Sequence, residues 1–107
     1  FRNCRIQKLF ADSRPPASWG RRGRRPGEFD EPRDLAVGPR GAVYVVDGKN
    51  HRIQKFSAGG DFLTSWGSAG IEPGEFSKPT GIAVDADGNV FVAERELHRI
   101  QKFASPE

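Results

Sequence analysis

The chain repeats itself. Arg5-Ile-Gln-Lys8 returns within His51-Arg-Ile-Gln-Lys-Phe56 and again within His98-Arg-Ile-Gln-Lys-Phe103, at an offset of 47 residues each time. Trp19-Gly20 returns as Trp66-Gly67, and Pro26-Gly-Glu-Phe29 as Pro73-Gly-Glu-Phe76, at the same offset. Aligning 11–57 with 58–104 leaves 21 of 47 positions identical with no insertion. Such a period means that one supersecondary unit recurs and buries its apolar surface against its neighbour. The architecture therefore follows from the content of one unit.

That content is four short strands. The apolar runs Leu35-Ala-Val37, Val43-Tyr-Val-Val46, Ile53 to Phe56 and Phe62 to Trp66 are β-branched or aromatic. Each is bounded by turn residues such as Gly38-Pro-Arg-Gly41, Asp47-Gly-Lys-Asn50 and Ala58-Gly-Gly-Asp61. No stretch keeps a 3.6-residue apolar period long enough for a helix. The pattern predicts strand a at about 34–38 and 81–85 and strand b at 42–47 and 89–94. Strand c falls at about 4–10, 51–57 and 98–104, and strand d at 15–19 and 62–66. Four antiparallel strands repeated every 47 residues are the signature of an all-β propeller, one blade per repeat. Consecutive apolar positions in strands a and b fit sheets covered on both faces by neighbouring blades. A two-sheet sandwich is the alternative, but sandwiches rarely repeat so regularly. Residues 1–20 read as strands c and d of a preceding blade, 21–67 as a first full repeat, and 68–107 as a second repeat without its own outer strand. Pro15-Pro16 in the first strand d suits an outermost strand, where a missing ladder hydrogen bond is tolerated.

The unit reads Pro-Gly-Glu-Phe, a proline, Gly81-Ile-Ala-Val-Asp85, Asp87-Gly-Asn-Val-Phe-Val-Ala93, then His-Arg-Ile-Gln-Lys-Phe. This resembles the NHL repeat over the whole chain. The Asn-His-Leu triplet of that repeat corresponds here to Asn50-His51-Arg52 and Leu97-His98-Arg99, with Asn3-Cys4-Arg5 in the partial copy. Departures are Asp34 for Gly81 and Gly38 for Asp85 in the first copy, and Glu94 and Leu97 for Asp47 and Asn50 in the second. The resemblance implies a propeller, commonly six-bladed, that serves mostly as a platform for proteins or RNA. It also implies a minority of enzymes, among them a metal-dependent amidating lyase. Fold and function separate at this point, because function resides in sites grafted onto a fold.

Composition narrows the classes further. Hydrophobic residues make up 36% and charged residues 29%. No apolar run approaches the ~18 residues of a membrane span, so no membrane partner is expected. No segment has the zones of a signal peptide. The chain holds no Met and opens at Phe1, from which a processed piece is expected; the compartment is not legible. Cys4 is the single cysteine, which excludes an internal disulfide and a cysteine-cluster metal site. It reads as a small apolar strand residue.

The candidate sites divide into repeated and unrepeated residues. His51 and His98 recur in equivalent places, as do Glu28 and Glu75, and recurrence points to architectural and turn roles; Trp19 and Trp66, and Ile53 and Ile100, are likewise expected to be equivalent structural residues with matching burial. A ring of symmetry-related His around the axis would be the metal-binding reading, but strand c is not axial. Asp85-Ala-Asp87-Gly88-Asn89 superficially resembles a calcium loop, with Glu96 at its twelfth place. Its sixth place is Val90, where the sharp turn demands Gly, so a hairpin turn is the better reading. No serine sits in an elbow motif and neither His suggests a triad. The expectation is thus a non-enzymatic chain without metal or cofactor. Arg21, Arg22, Arg24 and Arg25 are different, because the second copy has Ser68, Ala69, Ile71 and Glu72 there. In an antiparallel blade the d-to-a and b-to-c connections emerge on one rim, which sets Lys49 beside them. These five residues form the candidate binding patch, suited to phosphate or an acidic protein.

Three readings follow. The leading one is a protein-interaction or assembly scaffold that also associates with copies of itself. A propeller of about two blades is open at both ends, with Val43, Val45, Val90 and Val92 expected to line open outer faces in a single chain, and three chains would close a six-bladed ring. The redundant copy of strand c must then be displaced at each junction. The second reading is RNA recognition through the basic loop, which lacks the aromatic platforms RNA usually requires. The third is a fragment of a metal-dependent propeller lyase or hydrolase, which stoichiometric zinc or calcium uptake would reveal.

Overall fold

The repeat period becomes a blade period in the computed structural model, which describes residues 5–8 and 17–105. Nine strands run through the described residues: β1 (Ile6–Lys8), β2 (Ala17–Trp19), β3 (Pro32–Val37), β4 (Val43–Asp47), β5 (Arg52–Phe56), β6 (Phe62–Trp66), β7 (Gly81–Val84), β8 (Val90–Glu94) and β9 (Arg99–Phe103). They form three antiparallel meanders, β1-β2, β3-β4-β5-β6 and β7-β8-β9. Helical geometry among the described residues is confined to three-residue 3-10 turns at Pro39–Gly41, Gly48–Asn50 and Arg95–Leu97. Among the described residues no helix is long and apolar enough to cross a membrane. Strand a of the first blade starts earlier than the pattern predicts, at Pro32, through a register shift between Pro32 and Asp34. Cys4, Pro15-Pro16 and the outer residues predicted for the first strand c lie outside the described residues.

Equivalent strands pair in equivalent register. Ile6 opposes Trp19, and Ile53 opposes Trp66; Gln7 opposes Ser18, and Gln54 opposes Ser65. The alternation of side chains across β4 then makes two cores. Val43 and Val45 join Ile6, Phe29 and Phe56 on one face, with Trp19 packed beside them. Tyr44 and Val46 join Ile53, Phe76, Val90 and Val92 on the other, with Trp66 and Phe103 alongside. Each blade thus lends a strand-d tryptophan to the next: Trp19 meets Phe56 at 5.7 Å between ring centroids, and Trp66 meets Phe103 at 5.5 Å. Near the axis β3 and β7 lie side by side, and the Asp34 carboxylate accepts the Ile82 N–H at 3.0 Å.

Two expectations need correction. Val43, Val45, Val90 and Val92, expected to line open outer faces, are all buried. The partial sheet covers the first pair, and the second pair faces the neighbouring blade. The apolar side chains left open are elsewhere, at Leu35, Val37, Phe62, Leu63, Ile71 and Ile100. Ile53 and Ile100, expected to match in burial, do not: Ile53 is 0% exposed and Ile100 69%. The cause is positional. Ile53 faces the β7-β8-β9 sheet, whereas no described sheet lies beyond Ile100. For the same reason β4 is buried at every residue while β8 alternates between buried and half-buried.

Candidate functional site

The arginine loop joins β2 to β3, and its backbone is that of its uncharged counterpart. Gly23 N–H donates to Phe29 O and Phe29 N–H to Arg21 O; Gly70, Phe76 and Ser68 repeat the pair. Pro26-Gly27 forms the centre of a turn closed by Glu28 N–H to Arg25 O at 2.9 Å. Gly27 sits at φ 85°, the left-handed value that this proline-glycine turn requires at its second central residue. Glu28 Oε1 reaches back to accept the Arg25 N–H at 3.2 Å, as Glu75 does for Glu72. The recurring glutamates are therefore turn caps.

Strand β5 locks this loop from below. Arg52 donates to Arg24 O at 2.8 Å, Arg25 O at 3.1 Å and Glu28 O at 2.9 Å. Gln54 clasps the turn from both sides, giving its amide hydrogen to Glu28 O and taking the Gly27 N–H on its oxygen. Asn50 donates to Gly23 O at 2.8 Å. Behind them lies Asp47, fully buried. Its carboxylate accepts from Asp30 N–H, Asn50, Arg52 and Gln54, which satisfies a charge that would otherwise be costly to bury. The second blade repeats the device with Glu94, Arg99 and Gln101. The Arg-Ile-Gln motif is a latch between adjoining elements of the fold.

With the backbone held, the side chains decide what the rim presents. Arg21, Arg22, Arg24, Arg25 and Lys49 are all exposed. They do not act as five independent cations. Arg21 pairs with Glu28 at 2.7 Å, Arg22 lies 3.9 Å from Asp30, and Lys49 lies 3.7 Å from Glu31. The Arg21 hydrogen bond, aided by the Arg25 N–H, holds the Glu28 carboxyl below its ordinary value against partial desolvation. The Arg33 guanidinium does the same for Glu31, with Lys49 contributing. Both acids are thus ionised at neutral pH and neutralise part of the rim. Arg24 and Arg25 alone of the five form no side-chain hydrogen bond or salt bridge within the described residues. Sequence reasoning missed Asp30 and Glu31 as counter-charges. The signal was present: the second copy, without the arginines, has Ser77 and Lys78 at those places.

The other candidates resolve into structure. His51 takes left-handed backbone, φ 53°, after its 3-10 turn, and Nδ1–H donates to Ser77 O at 2.9 Å and Phe76 O at 3.2 Å. Two carbonyl acceptors place the proton on Nδ1. His51 therefore bridges blades, while His98, with the same backbone, is exposed. Asp85 folds onto its own turn, accepting from Asp87 N–H and from Asn89 N–H and side-chain amide. Glu96 pairs with Lys78 instead of approaching Asp85. Among the described residues no three His, Cys, Asp or Glu side chains gather as a metal site requires. A cleft of about 650 Å³ opens between the blades beside the a-to-b hairpins, lined by Arg40, Tyr44, Lys55, Leu63 and Asp87 among others.

Comparison with known proteins agrees with this geometry. The chain is similar in structure to a streptogramin B lyase, with a TM-score of 0.62 and 17% identity over 96% of this chain. It is also similar to virginiamycin B lyase from Staphylococcus aureus, with a TM-score of 0.55 and 18% identity over 97%. It spans about a third of their length, 34% and 35% respectively. At such identities the likeness carries the β-propeller fold alone. No curated protein matches the chain by sequence. The NHL repeat model matches residues 29–56 and 76–103, the two stretches that run from the turn phenylalanine to the end of strand c. The chain belongs to the NHL-repeat family.

Proposed function

We propose that this propeller module is a non-enzymatic interaction scaffold whose Arg24-Arg25 rim engages an acidic segment of a partner protein. The observation that carries the reading is the separation of backbone from charge. Ser68 to Glu75 adopt the same hydrogen-bonded turn without a single basic side chain, so the fold has no need of the arginines. Their backbone carbonyls are nonetheless fixed by Arg52. Preorganised charge on a rigid rim favours selective and fast encounter with an oppositely charged partner. The loop carries no aromatic side chain before Phe29, which is itself fully buried. That absence favours a carboxylate-rich polypeptide over unstacked bases.

The test is fluorescence anisotropy with a labelled Asp/Glu-rich peptide and, in parallel, a labelled single-stranded RNA of matched length. The double variant Arg24→Ser/Arg25→Ser is expected to weaken peptide binding about tenfold and to flatten its salt dependence. Its thermal stability is expected to be unchanged, because neither side chain forms a hydrogen bond or salt bridge among the described residues. Tighter binding of RNA than of peptide would replace this reading with nucleic-acid recognition. Peptide affinity unaffected by the double variant would overturn the rim as the site.

A further inference from the structure

Two loops with one backbone present different surfaces. The loop joining β6 to β7 repeats the turn of the arginine loop: Gly70 N–H donates to Phe76 O, Phe76 N–H to Ser68 O and Glu75 N–H to Glu72 O. Its side chains are not basic. Ala69, Ile71 and Pro73 are all exposed, and Ile71, which stands at the place of Arg24, is 62% exposed. Strand β9 fixes this loop as β5 fixes the other, with Arg99 donating to Ile71 O at 2.7 Å and to Glu75 O at 3.1 Å. The place itself faces water, since Arg24 is exposed there with β7-β8-β9 in position beside its blade. The two loops are also tied to each other. Asn50 donates to Gly23 O of the arginine loop at 2.8 Å. His51, the next residue, donates through Nδ1–H to Phe76 O and Ser77 O, where the second loop ends. Arg33 adds a further tie between the blades, donating to Pro79 O at 3.3 Å. The basic rim and the apolar loop are therefore parts of one braced face, joined by the turn that carries Lys49.

We propose that the partner segment is amphipathic: its carboxylates meet Arg24 and Arg25, and an apolar side chain next to them packs on Ile71. The inference rests on the arginine rim being the docking site. A lone exposed isoleucine is ordinary on a protein surface. Ile71 differs in its company, with Ala69 and Pro73 exposed on the same loop and a basic rim one blade away on the same face. Such a face divides its work. Apolar contact removed from water supplies affinity, and charge supplies orientation and speed of encounter. Both loops are held by the latch arginines Arg52 and Arg99, so little backbone ordering is lost when the segment docks. Glu72 sets the polarity. It is exposed at the place of Arg25, and its carboxylate forms no ion pair among the described residues. It repels carboxylates from the second loop, which leaves the first loop to the acidic part of the segment and the second to its apolar part. A uniformly acidic segment would engage the first loop alone.

The test is fluorescence anisotropy on the full chain with two labelled peptides. One is an Asp/Glu block with a Gly/Ser tail; the other has the same block with leucines in the tail, and each is made with the tail at either end. The leucine peptide, with its tail at one of the two ends, is expected to bind about tenfold more tightly than its acidic counterpart, the increment of one aliphatic side chain taken from water. Ile71→Ser is expected to abolish that gain and to leave the affinity of the acidic peptide unchanged. It should keep the unfolding transition, because Arg24 shows that the place accepts a polar side chain. Arg24→Ser/Arg25→Ser is expected to weaken both peptides. Equal affinity of the two peptides for the unsubstituted protein overturns the apolar anchor and leaves the arginine rim standing, and so does a leucine gain that survives Ile71→Ser. Affinities of both peptides that ignore Arg24→Ser/Arg25→Ser remove the rim as the docking site, and the anchor with it.

Discussion

Glu94 shows how a departure between repeats is absorbed at the scale of one residue. It stands where the first blade has Asp47, one methylene longer, and still collects the Ser77 N–H, Arg99 and Gln101. Burial pushes its carboxyl upward, but the hydrogen bonds from Arg99, Gln101 and Ser77 outweigh burial and hold it below the ordinary 4.5. A carboxyl lowered by folding stabilises the native state at pH above its unfolded value and ceases to do so as pH falls through its folded value. Replacing Glu94 with Gln is therefore expected to destabilise the protein by about 1–3 kcal/mol at pH 7, through loss of charge-assisted hydrogen bonds. The two proteins should converge below pH 4.5, where the native glutamate protonates. Urea unfolding at a series of pH values measures this. A constant gap between them from pH 7 down to pH 3 would show that the charge of Glu94 is immaterial. At this scale the sequence was partly legible. The recurrence of Glu28, His51 and the Arg-Ile-Gln motif marked them as structural, and the hydrogen bonds agree. Their individual partners were not legible, because a repeat states that a residue matters without stating what it touches. The pairing of Arg22 and Lys49 with Asp30 and Glu31 depends on a loop doubling back, which no periodicity encodes.

For the elements, strand existence was read almost completely from short apolar runs and turn residues, because most of the strands have Gly, Pro, Asp or Asn close to one end or both. What the pattern did not convey was which faces are covered. Val43-Tyr-Val-Val46 and Val90-Phe-Val-Ala93 have similar sequences, yet β4 is buried throughout and β8 on one face only. Burial belongs to the neighbour as much as to the strand. The same logic makes a mutational contrast. Ile53→Ala removes a side chain sealed against Phe76 and Trp66, and a cost of about 2–5 kcal/mol is expected. Ile100→Ala, at an identical sequence position one repeat later, should change stability by less than about 0.5 kcal/mol in the single chain. Denaturant midpoints compared at low protein concentration read the difference. Equal losses at the two positions would mean that the open face of β9 is covered after all.

The whole molecule is a graded stack, in which protection depends on how many blades flank a strand. β4 and β5 lie inside the sheet β3-β4-β5-β6, which the β1-β2 pair covers on one face and β7-β8-β9 on the other. β9 lies at the far limit, with an unpaired outer edge and Ile100 in water. Repeat proteins open in units set by such nearest-neighbour contacts, and the units with fewest contacts open at the lowest free energy. Native-state hydrogen exchange in dilute protein is therefore expected to rank the amides, slowest in β4 and β5, intermediate in β8, fastest in β9 and β1. Protection equal in β4 and β9 already in dilute solution would contradict the gradient itself, and with it the assignment of β9 as an open edge.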